Sequence, residues 1–398
     1  MEKQKKTDAK KTMLPHSKAK LEYYQSYLKR YLPILRLADF TSCINIFDVF
    51  CGTGIYEDGT KGSPILAFEA IEESSEKNNG KVLTPVNLIV NDIELVKIEG
   101  IRKYLNKKNN GICTITYHNE DADSFLSNIE STIGYQQTNE RNLILIDPYG
   151  YKKVKKENIK NLLSKKRNTE IMLFLPISQI YRFTGAVIND EDTKVKALKD
   201  FIDSFFPDKT HPIYNNCLTH EKELIEHIRH ALMFEGEFYA TSYYIQRDNK
   251  EHYYALFSIM HNIYALQKNL EVKWELNEES GEGFEQPKTM FGLFDTQFKE
   301  EAQREQYDRL KDILLNIIEE KGFINNNQLY EITLKNMFLP KHSNQVLKQL
   351  QEDNIIEVID VKTMGNARRG AFYQCYNNYS NGIVKVRIKK KENHVIKN

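Results

Sequence analysis

A glycine-rich turn stands directly behind the first apolar run of the chain, residues 44–47. It reads Asp48-Val-Phe-Cys-Gly-Thr-Gly54. Glycines at the carboxyl end of a strand let the backbone turn sharply and approach a ligand closely. We therefore expect a cofactor site that includes Phe50, where Asp48 anchors the loop or one end of the cofactor and Gly52 and Gly54 leave space. A tight turn that binds nothing is the alternative interpretation.

An acidic residue closes the next apolar run. Asp92 follows residues 86–90, and a carboxylate at this strand end can accept hydrogen bonds from both hydroxyls of a ribose. Glu94, two residues later, is the second choice for this role. A single acid behind a strand is often only the N-cap of the next helix, so the prediction depends on the neighbouring motifs.

A second acidic cluster follows the apolar residues 112–117. There Asp121 can accept a hydrogen bond from the exocyclic amine of an adenine, while the backbone N–H of Ala122 is available to the ring. A helix cap is again the alternative, because Asp123 directly precedes a helical pattern. The two interpretations are compatible if Asp121 and Asp123 divide the roles.

The apolar residues 143–146 lead directly into Asp147-Pro148-Tyr149-Gly150. An acid and a proline carbonyl can accept hydrogen bonds from a planar NH₂ group, and an aromatic ring can stack on the base that carries it. The run resembles motif IV of the amino-methyltransferases, and this resemblance implies that Asp147, Pro148 and Tyr149 hold a target amine. Asp-Pro alone is a common turn, and its place behind the fourth strand is what makes the motif specific.

These motifs require short strands that end at one edge of a sheet. Helix-length segments separate five apolar runs, as in a parallel sheet covered on both faces; the runs are residues 44–50, 86–90, 112–117, 143–146 and 171–175. Residues 238–246 and 252–260 flank a polar turn and predict an antiparallel hairpin. An amphipathic helix is expected over residues 17–37, with Ser17 as its N-cap and Pro33 kinking or ending it.

The pattern changes beyond a linker predicted at residues 277–304. Three helices and two strands follow, at residues 307–321, 327–336, 342–352, 355–361 and 371–376, and they predict a winged helix–turn–helix. The basic tail from residue 381 is either an extra strand or a loose arm. We expect one face of the module to contact nucleic-acid phosphates through four cations: Lys341, Lys348, Arg368 and Arg369.

Composition excludes several classes of protein. The 398 residues carry 56 Lys and Arg against 55 Asp and Glu, and a net charge of +1 excludes a uniformly polybasic chain. Five scattered cysteines argue against a disulfide framework or a Cys-based zinc site and for a cytoplasmic location. The histidines show no metal-binding spacing, so we predict no metal. We expect no secretory signal and no membrane-spanning segment, and the sequence printed here contains no P-loop pattern.

Taken together, the motifs resemble those of class I S-adenosylmethionine (SAM) methyltransferases. The glycine turn resembles their motif I in its D-x-F-x-G-x-G form, and Asp147-Pro-Tyr resembles motif IV of the amino-methyltransferases. Five parallel-type strands followed by an antiparallel hairpin is also the order of that Rossmann-like α/β fold, for which we expect a seven-stranded sheet. The resemblance implies SAM as cofactor and an exocyclic amine of a nucleic-acid base as acceptor.

Most of the chain also resembles the three-Cys-motif partner family (TcmP), a group of SAM-methyltransferase-like bacterial proteins. The matching segments are His16-Ser-Lys-Ala-Lys20, Gly54-Ile-Tyr56-Glu-Asp58-Gly59, Gly62-Ser63-Pro64, Ile146-Asp-Pro-Tyr-Gly-Tyr151 and Tyr254-Ala-Leu-Phe-Ser258. This resemblance implies a phage-like partner protein that carries the three-cysteine motif, and it leaves the family's own reaction open.

The expected domains are a helical lead-in at 1–40, a methyltransferase-like domain at 41–276, the linker at 277–304, a winged helix at 305–380 and a basic tail at 381–398. We predict a SAM-dependent methyltransferase that modifies a nucleic-acid base. A SAM-binding but non-catalytic partner of the three-Cys-motif protein is the alternative. An NAD-dependent enzyme is a weaker third interpretation, because Glu57 stands where the third glycine of a dinucleotide fingerprint belongs.

Overall fold

The computed structural model describes residues 13–76, 82–182, 196–215, 218–248, 252–285 and 294–391. The start of the predicted lead-in, part of the linker and the end of the basic tail lie outside these ranges. The described chain forms two compact units. The first unit contains the described residues up to His261 and the short segment that begins at Glu282. The second unit contains Asn262–Gly281 and the described residues from Phe294 onward. No described helix has the length and apolarity needed to cross a membrane.

The first unit is built on one mostly parallel sheet. Its strands are β1 (Cys43–Asp48), β2 (Val86–Asn91), β3 (Thr114–His118), β4 (Glu140–Ile146), β5 (Thr169–Leu175), β6 (Tyr239–Asp248), β7 (His252–Met260) and β8 (Gly283–Phe284). They lie in the order β3-β2-β1-β4-β5-β7-β6-β8, and β7 runs antiparallel to both of its neighbours. This is the strand order of the class I methyltransferase fold, so the predicted fold class is confirmed. The two-residue β8 adds an eighth strand at the edge.

Helices cover both faces of this sheet. They are α1 (Pro15–Arg36), α2 (Ser63–Glu76), α3 (Leu95–Lys108), α4 (Ala122–Tyr135), α5 (Lys156–Ser164), α6 (Lys196–Phe205) and α7 (Glu221–Ala231). The central strands are apolar along their whole length because both faces are buried. In β4, for example, Leu143, Ile144 and Leu145 are all inaccessible to solvent, or nearly so.

The ends of α1 differ from those predicted. The helix begins at Pro15, so Ser17 is not its N-cap; proline suits this position because its missing N–H would have no helical partner. Pro33 lies inside the helix, which continues to Arg36. The guanidinium of Arg36 donates hydrogen bonds to backbone and side-chain oxygens of α2. This anchoring and the buried face of α1 outweigh the cost of an internal proline, about 3 kcal/mol.

A stripe of tyrosines attaches α1 to the sheet. Tyr23, Tyr24, Tyr27 and Tyr31 are all buried, although each carries a hydroxyl. The hydroxyl of Tyr27 donates a hydrogen bond to the carboxylate of Glu170 in β5. Burial raises the pKa of Glu170 to about 7, although the Tyr27 hydrogen bond acts in the opposite direction. The interface between α1 and the sheet therefore contains a carboxyl group that prefers its neutral form.

The second unit is a winged helix–turn–helix with one additional helix before it. Its elements are α8 (Ile263–Leu276), α9 (Phe294–Lys321), β9 (Ile324–Asn325), α10 (Asn326–Lys335), α11 (Pro340–Glu352), β10 (Ile356–Asp360), α12 (Tyr376–Ser380) and β11 (Val386–Lys390). The three strands form an antiparallel sheet in the order β10-β11-β9. The predicted winged-helix module is thereby confirmed.

The domain boundary differs from the predicted one. Helix α8 belongs to the second unit rather than to the methyltransferase-like domain, and α9 begins inside the predicted linker. Two hydrogen bonds attach α8 to the helix–turn–helix: the Tyr330 hydroxyl donates to Gln267 (2.6 Å), and the Trp274 indole donates to the Met337 carbonyl (2.9 Å). Because both bonds are long-range in sequence, local patterns do not reveal this assignment.

The last wing strand also lies elsewhere than predicted. Residues 371–376 form no strand, because the side chain of Gln374 is buried against α10 and α11. Its carbonyl accepts hydrogen bonds from Thr333 and Ser343 (3.2 and 2.9 Å), and its amide donates to Asn344 (2.7 Å). The strand that pairs with β10 is β11, which lies within the predicted basic tail.

The raised pKa of Glu170 makes a testable prediction about stability. Folding favours the protonated carboxyl, so this contribution is complete below the unfolded pKa near 4.5 and is lost as the pH rises toward about 7. We expect Glu170→Gln to raise the free energy of unfolding at pH 8 by roughly 1–3 kcal/mol and to have little effect at pH 4.5. Urea unfolding at both pH values measures the difference.

Glu237→Gln provides the control, because Glu237 is an exposed acid of the same unit. An equal gain at both pH values, or the same pH dependence in the control, would contradict this account of Glu170.

Candidate active site at the carboxyl edge of the sheet

The two glycines of the turn after β1 have different surroundings. Both have positive φ angles, +64° at Gly52 and +72° at Gly54, which side chains rarely adopt. A Cβ atom at Gly54 would lie 2.7 Å from Cγ1 of Ile101 in α3, whereas one at Gly52 would meet no described atom within 4 Å. Gly54 therefore lets the loop pack against α3, and Gly52 leaves open space at the edge of the sheet.

Asp92 holds this turn in place. One carboxylate oxygen accepts a hydrogen bond from the Gly52 N–H (3.1 Å), and the other accepts from the Glu94 N–H (2.9 Å). Asp92 is buried, while the side chain of Glu94 is 61% exposed and pairs with Lys97 at 2.6 Å. The residue predicted to bind a ribose thus also positions the glycine loop, and the second choice, Glu94, is the more accessible acid.

Two asparagines that the sequence analysis did not single out connect the strand ends. The Asn91 amide donates to the Val49 and Glu120 carbonyls (3.2 and 3.1 Å), and its oxygen accepts from the Glu120 N–H (2.9 Å). The Asn119 amide donates to the Asp92 carbonyl (2.9 Å). These bonds fix the loops behind β1, β2 and β3 to one another. The only local signal is that one asparagine directly precedes Asp92 and the other lies two residues before Asp121.

Asp121 is the N-cap of α4. Its carboxylate accepts hydrogen bonds from the Asp123 N–H (3.0 Å) and the Ser124 hydroxyl (2.6 Å), and the Ser124 bond in particular lowers the pKa of Asp121. Ala122, the first residue of the helix, is buried. Asp123 instead faces Lys153 at 3.3 Å. The helix cap is therefore Asp121, not Asp123, which lies in the first turn of α4. The contact of Asp121 with an adenine stays a prediction.

Asp48 ends β1 in a fully buried position. Neither of its carboxylate oxygens has a hydrogen-bond partner among the described residues. Burial raises the pKa of Asp48 to about 7, and the Ser63 hydroxyl lowers it in part. The Tyr24 hydroxyl is also buried without a described partner, and burial followed by the charge of Asp48 raises its pKa well above the ordinary value. The site therefore contains polar atoms whose hydrogen-bonding capacity is unused.

Asp147 follows β4 and forms an ion pair with Lys20 of α1. Their side chains are 21% and 13% exposed, so the pair is largely enclosed. Asp147 acts on Asp48 as a like charge that raises its pKa, and Lys20 acts in the opposite direction. The three groups therefore form one electrostatic cluster. Lys20 belongs to the segment that carries the family resemblance, but its spacing gave no sign of a role at the site.

Tyr149 extends from the same loop into solvent, with 83% of its surface exposed. Its hydroxyl accepts a hydrogen bond from Lys97 (3.0 Å), and the Lys97 ammonium lies 3.7 Å from Asp92. Lys97 thus connects the loop behind β2 to the loop behind β4. The predicted cofactor-binding and target-binding residues consequently meet at one edge of the sheet, with Phe50 packed in part against the core below.

The four predicted phosphate-binding residues of the second unit are exposed: Lys341, Lys348, Arg368 and Arg369. None of them forms an ion pair with a described residue. The Gly370 N–H donates to Gln351 (3.2 Å), so the wing loop lies beside the carboxyl end of α11, where Lys348 also lies. Lys341 is two helical turns away, about 10 Å along the axis.

The comparison with family models agrees with the winged helix–turn–helix of the second unit. A family model described as GMT-like wHTH domain matches residues 284–363. Similar solved structures include the plantazolicin methyltransferase BamL with an analog and SAH, at 11% identity over 65% of this chain and 86% of that one, with a TM-score of 0.31.

Human methyltransferase-like protein 13 with SAH is 9% identical over 72% of this chain and 100% of that one, with a TM-score of 0.32. The cyclopropane synthase MmaA2 from Mycobacterium tuberculosis is 9% identical over 70% and 74%, with a TM-score of 0.27. Comparison with curated protein sequences finds no match. The strand order, rather than these distant similarities, defines the first unit as a class I methyltransferase fold, and a winged helix–turn–helix follows it.

The contrast between the two glycines is testable. We expect Gly54→Ala to reduce the free energy of unfolding by roughly 1–3 kcal/mol more than Gly52→Ala, because only the former forces a side chain into Ile101. Both substitutions share the cost of a positive φ angle, so each is the matched control of the other. Chemical denaturation measures the difference, which should shrink in an Ile101→Ala background. Equal costs for the two variants would refute the assignment.

Proposed function

We propose that this protein is a SAM-dependent methyltransferase that modifies an exocyclic amine of a nucleic-acid base. The observation that carries the proposal is the Asp147-Pro148-Tyr149 loop. It follows β4 at the edge where the glycine loop ends β1, and the Tyr149 ring stands exposed beside it. An acceptor amine held there would lie next to the space above Gly52.

The residues present fit SAM as the cofactor. Buried polar atoms without partners, on Asp48 and Tyr24, favour a ligand that brings its own donors, such as the ammonium of a methionine group. The open space at Gly52 accepts a ligand against the backbone. Phe50, Asp92, Asp121 and Ala122 complete the proposed binding set. When bound, SAM supplies a methyl group that is already activated by the positively charged sulfur.

The chain's own part in the reaction is to orient the acceptor. The Asp147 carboxylate and the Pro148 carbonyl accept hydrogen bonds from the two N–H groups of a planar amine, which aims the nitrogen lone pair at the cofactor side. The Tyr149 ring supplies a stacking surface for the base. Correct orientation of two reactants accounts for a large share of a barrier of this type, so no metal is required.

The winged helix–turn–helix supports the choice of a nucleic acid as substrate. Its four exposed cations form no ion pair with a described residue and suit contacts to phosphates, which position a substrate without reading its sequence; they are Lys341, Lys348, Arg368 and Arg369. The proposed active site would then recognise the base, and the winged module would bind the phosphates.

The resemblance to the three-Cys-motif partner family adds a second component to the proposal. A three-Cys-motif protein would be the physical partner of this chain in the cytoplasm. In the non-catalytic alternative, the chain binds SAM and serves that partner without transferring a methyl group. The experiment below separates the two functions.

Incubation with methyl-labelled SAM and mixed DNA or RNA tests the reaction. We expect label transfer to nucleic acid, which Asp147→Asn should abolish while SAM affinity stays within about twofold. Asp92→Ala should weaken SAM binding by roughly 1.5–3 kcal/mol, because it removes hydrogen bonds to a charged group. Glu94→Ala tests the other acid and should leave the affinity nearly unchanged.

Calorimetric binding of SAM to each variant provides the comparison. SAM binding without transfer to any nucleic acid would support the non-catalytic alternative. The same phenotype in the Asp92 and Asp147 variants would contradict the division into cofactor and target residues.

Salt dependence tests the winged module in the full-length chain. With a mixed-sequence DNA duplex, replacing Arg368 and Arg369 with Ala should weaken binding and lower the slope of log K against log salt by about two units, at roughly 0.9 per phosphate contact. Lys389 and Lys390 provide a matched control pair, because Glu357 and Glu319 already neutralise them at 2.7 and 3.0 Å. Fluorescence anisotropy measures both variants. An identical slope in the two would exclude the wing arginines as phosphate contacts.

A further inference from the structure

The ion pair between Lys20 and Asp147 occupies half of the proposed target-binding carboxylate. The Lys20 ammonium contacts the Oδ2 oxygen of Asp147. The Oδ1 oxygen forms no hydrogen bond with any described residue, and the side chain as a whole keeps 21% exposure. One oxygen is therefore committed to the protein, and the other remains available to a ligand.

An aromatic stack fixes Lys20 in this position. Its ammonium lies 4.7 Å from the centre of the Phe174 ring, within the range of a cation–π interaction. Phe174 stacks on Tyr254 (centroids 5.1 Å apart), and Tyr254 stacks on His16 of α1 (5.0 Å). His16 and Lys20 are one helical turn apart, so α1 contacts the aromatic stack through both of these side chains. The ammonium is consequently preorganised rather than free to swing into solvent.

The charge of this pair determines what can bind beside it. An isolated carboxylate attracts ammonium groups, but a carboxylate already paired with a lysine carries little net charge toward a ligand. A second cation at Oδ1 would also face the Lys20 ammonium across the same carboxylate. Like charges placed this close repel each other strongly in enclosed sites. An uncharged N–H donor meets no such penalty, since it needs only the lone pair of the oxygen.

We propose that Lys20 is a specificity-determining residue that restricts the acceptor to uncharged planar amines, because it neutralises Asp147 through Oδ2 and leaves only Oδ1 to accept an N–H. This inference rests on the proposed function and narrows it. Base amines and amides satisfy the site. Alkylammonium groups, such as a protein lysine side chain or a polyamine, do not.

Titrations followed by NMR test this selectivity without any turnover. The full-length chain is saturated with S-adenosylhomocysteine at pH 7.5 and titrated with two uncharged probes, 9-methyladenine and 1-methylcytosine, and with n-butylammonium. The variants are Lys20→Met, which removes the charge, and Lys20→Gln, which keeps a donor toward Asp147. Lys18→Met is the matched control, because Lys18 is exposed on the same helix. Thermal melting confirms that each variant is folded.

For the wild-type chain we expect at least one uncharged probe to bind and butylammonium to bind at least about tenfold more weakly. Both Lys20 variants should bind butylammonium about tenfold more tightly than the wild type does, and Lys18→Met should match the wild type. The double variant with Lys20→Met and Asp147→Asn should not show this gain in affinity for butylammonium. The inference is overturned if the Lys20 variants gain no affinity for butylammonium, if Lys18→Met gains as much, or if no probe binds any of the proteins.

This outcome is independent of catalysis. A Lys20-dependent change in probe selectivity in a chain that transfers no methyl label would support the inference and refute the enzymatic part of the proposed function. Label transfer to butylammonium as efficient as transfer to a base amine would support a methyltransferase and refute the restriction by Lys20.

Discussion

The hydrogen-bond register of β1 between β2 and β4 is the constraint on which the rest of the site depends. Asp48 at the end of β1 is level with Val90 in β2 and with Leu145 in β4. Asp92 and Asp147 each lie two residues beyond these partners, so both emerge at the same edge, on opposite sides of Asp48. A shift of either neighbouring strand by one residue would turn these side chains to the other face of the sheet. The three acids thus owe their proximity to backbone pairing rather than to their own contacts.

Three acids in one enclosed region repel one another, and the structure stabilises two of them with partners and leaves the third without one. Asp92 is satisfied by backbone N–H groups and lies near Lys97. Asp147 is paired with Lys20. Asp48 has no described partner, and burial raises its pKa to about 7. An unsatisfied buried carboxyl group costs stability, which is the kind of cost that proteins retain at functional sites.

Helix α1 links stability to the site. Its tyrosine stripe fixes it to the sheet, and the same helix delivers Lys20 and Tyr24 to the region of Asp147 and Asp48. The described part of the lead-in, residues 13–40, which the sequence analysis set apart from the methyltransferase-like domain, therefore belongs to that domain in the structure. In the second unit, by contrast, the buried Gln374 shapes the wing by binding two helices, and the exposed cations take no part in the packing.

The sequence by itself determined the elements whose causes are local. Continuous apolar runs predict buried parallel strands, glycines with an acid before them predict the turn after β1, and Asp-Pro behind an apolar run predicts the loop after β4. Helical periodicity likewise predicts the three helices of the winged module. The basic tail was predicted to be either a strand or a loose arm, and part of it forms β11. In each case neighbouring residues along the chain carry the signal.

Only the tertiary structure decided the features that depend on residues far apart in the chain. Nothing near Lys20 indicates that Asp147 is its partner, and nothing near Gly54 indicates that Ile101 is the side chain it must avoid. Pro33 stays inside α1 because packing and the bonds of Arg36 outweigh its local preference. Residues 371–376 have a strand-like pattern, yet the Gln374 side chain forms hydrogen bonds with two helices and the segment is not a strand. Long-range contacts of this kind select among local preferences, and the local pattern does not contain them.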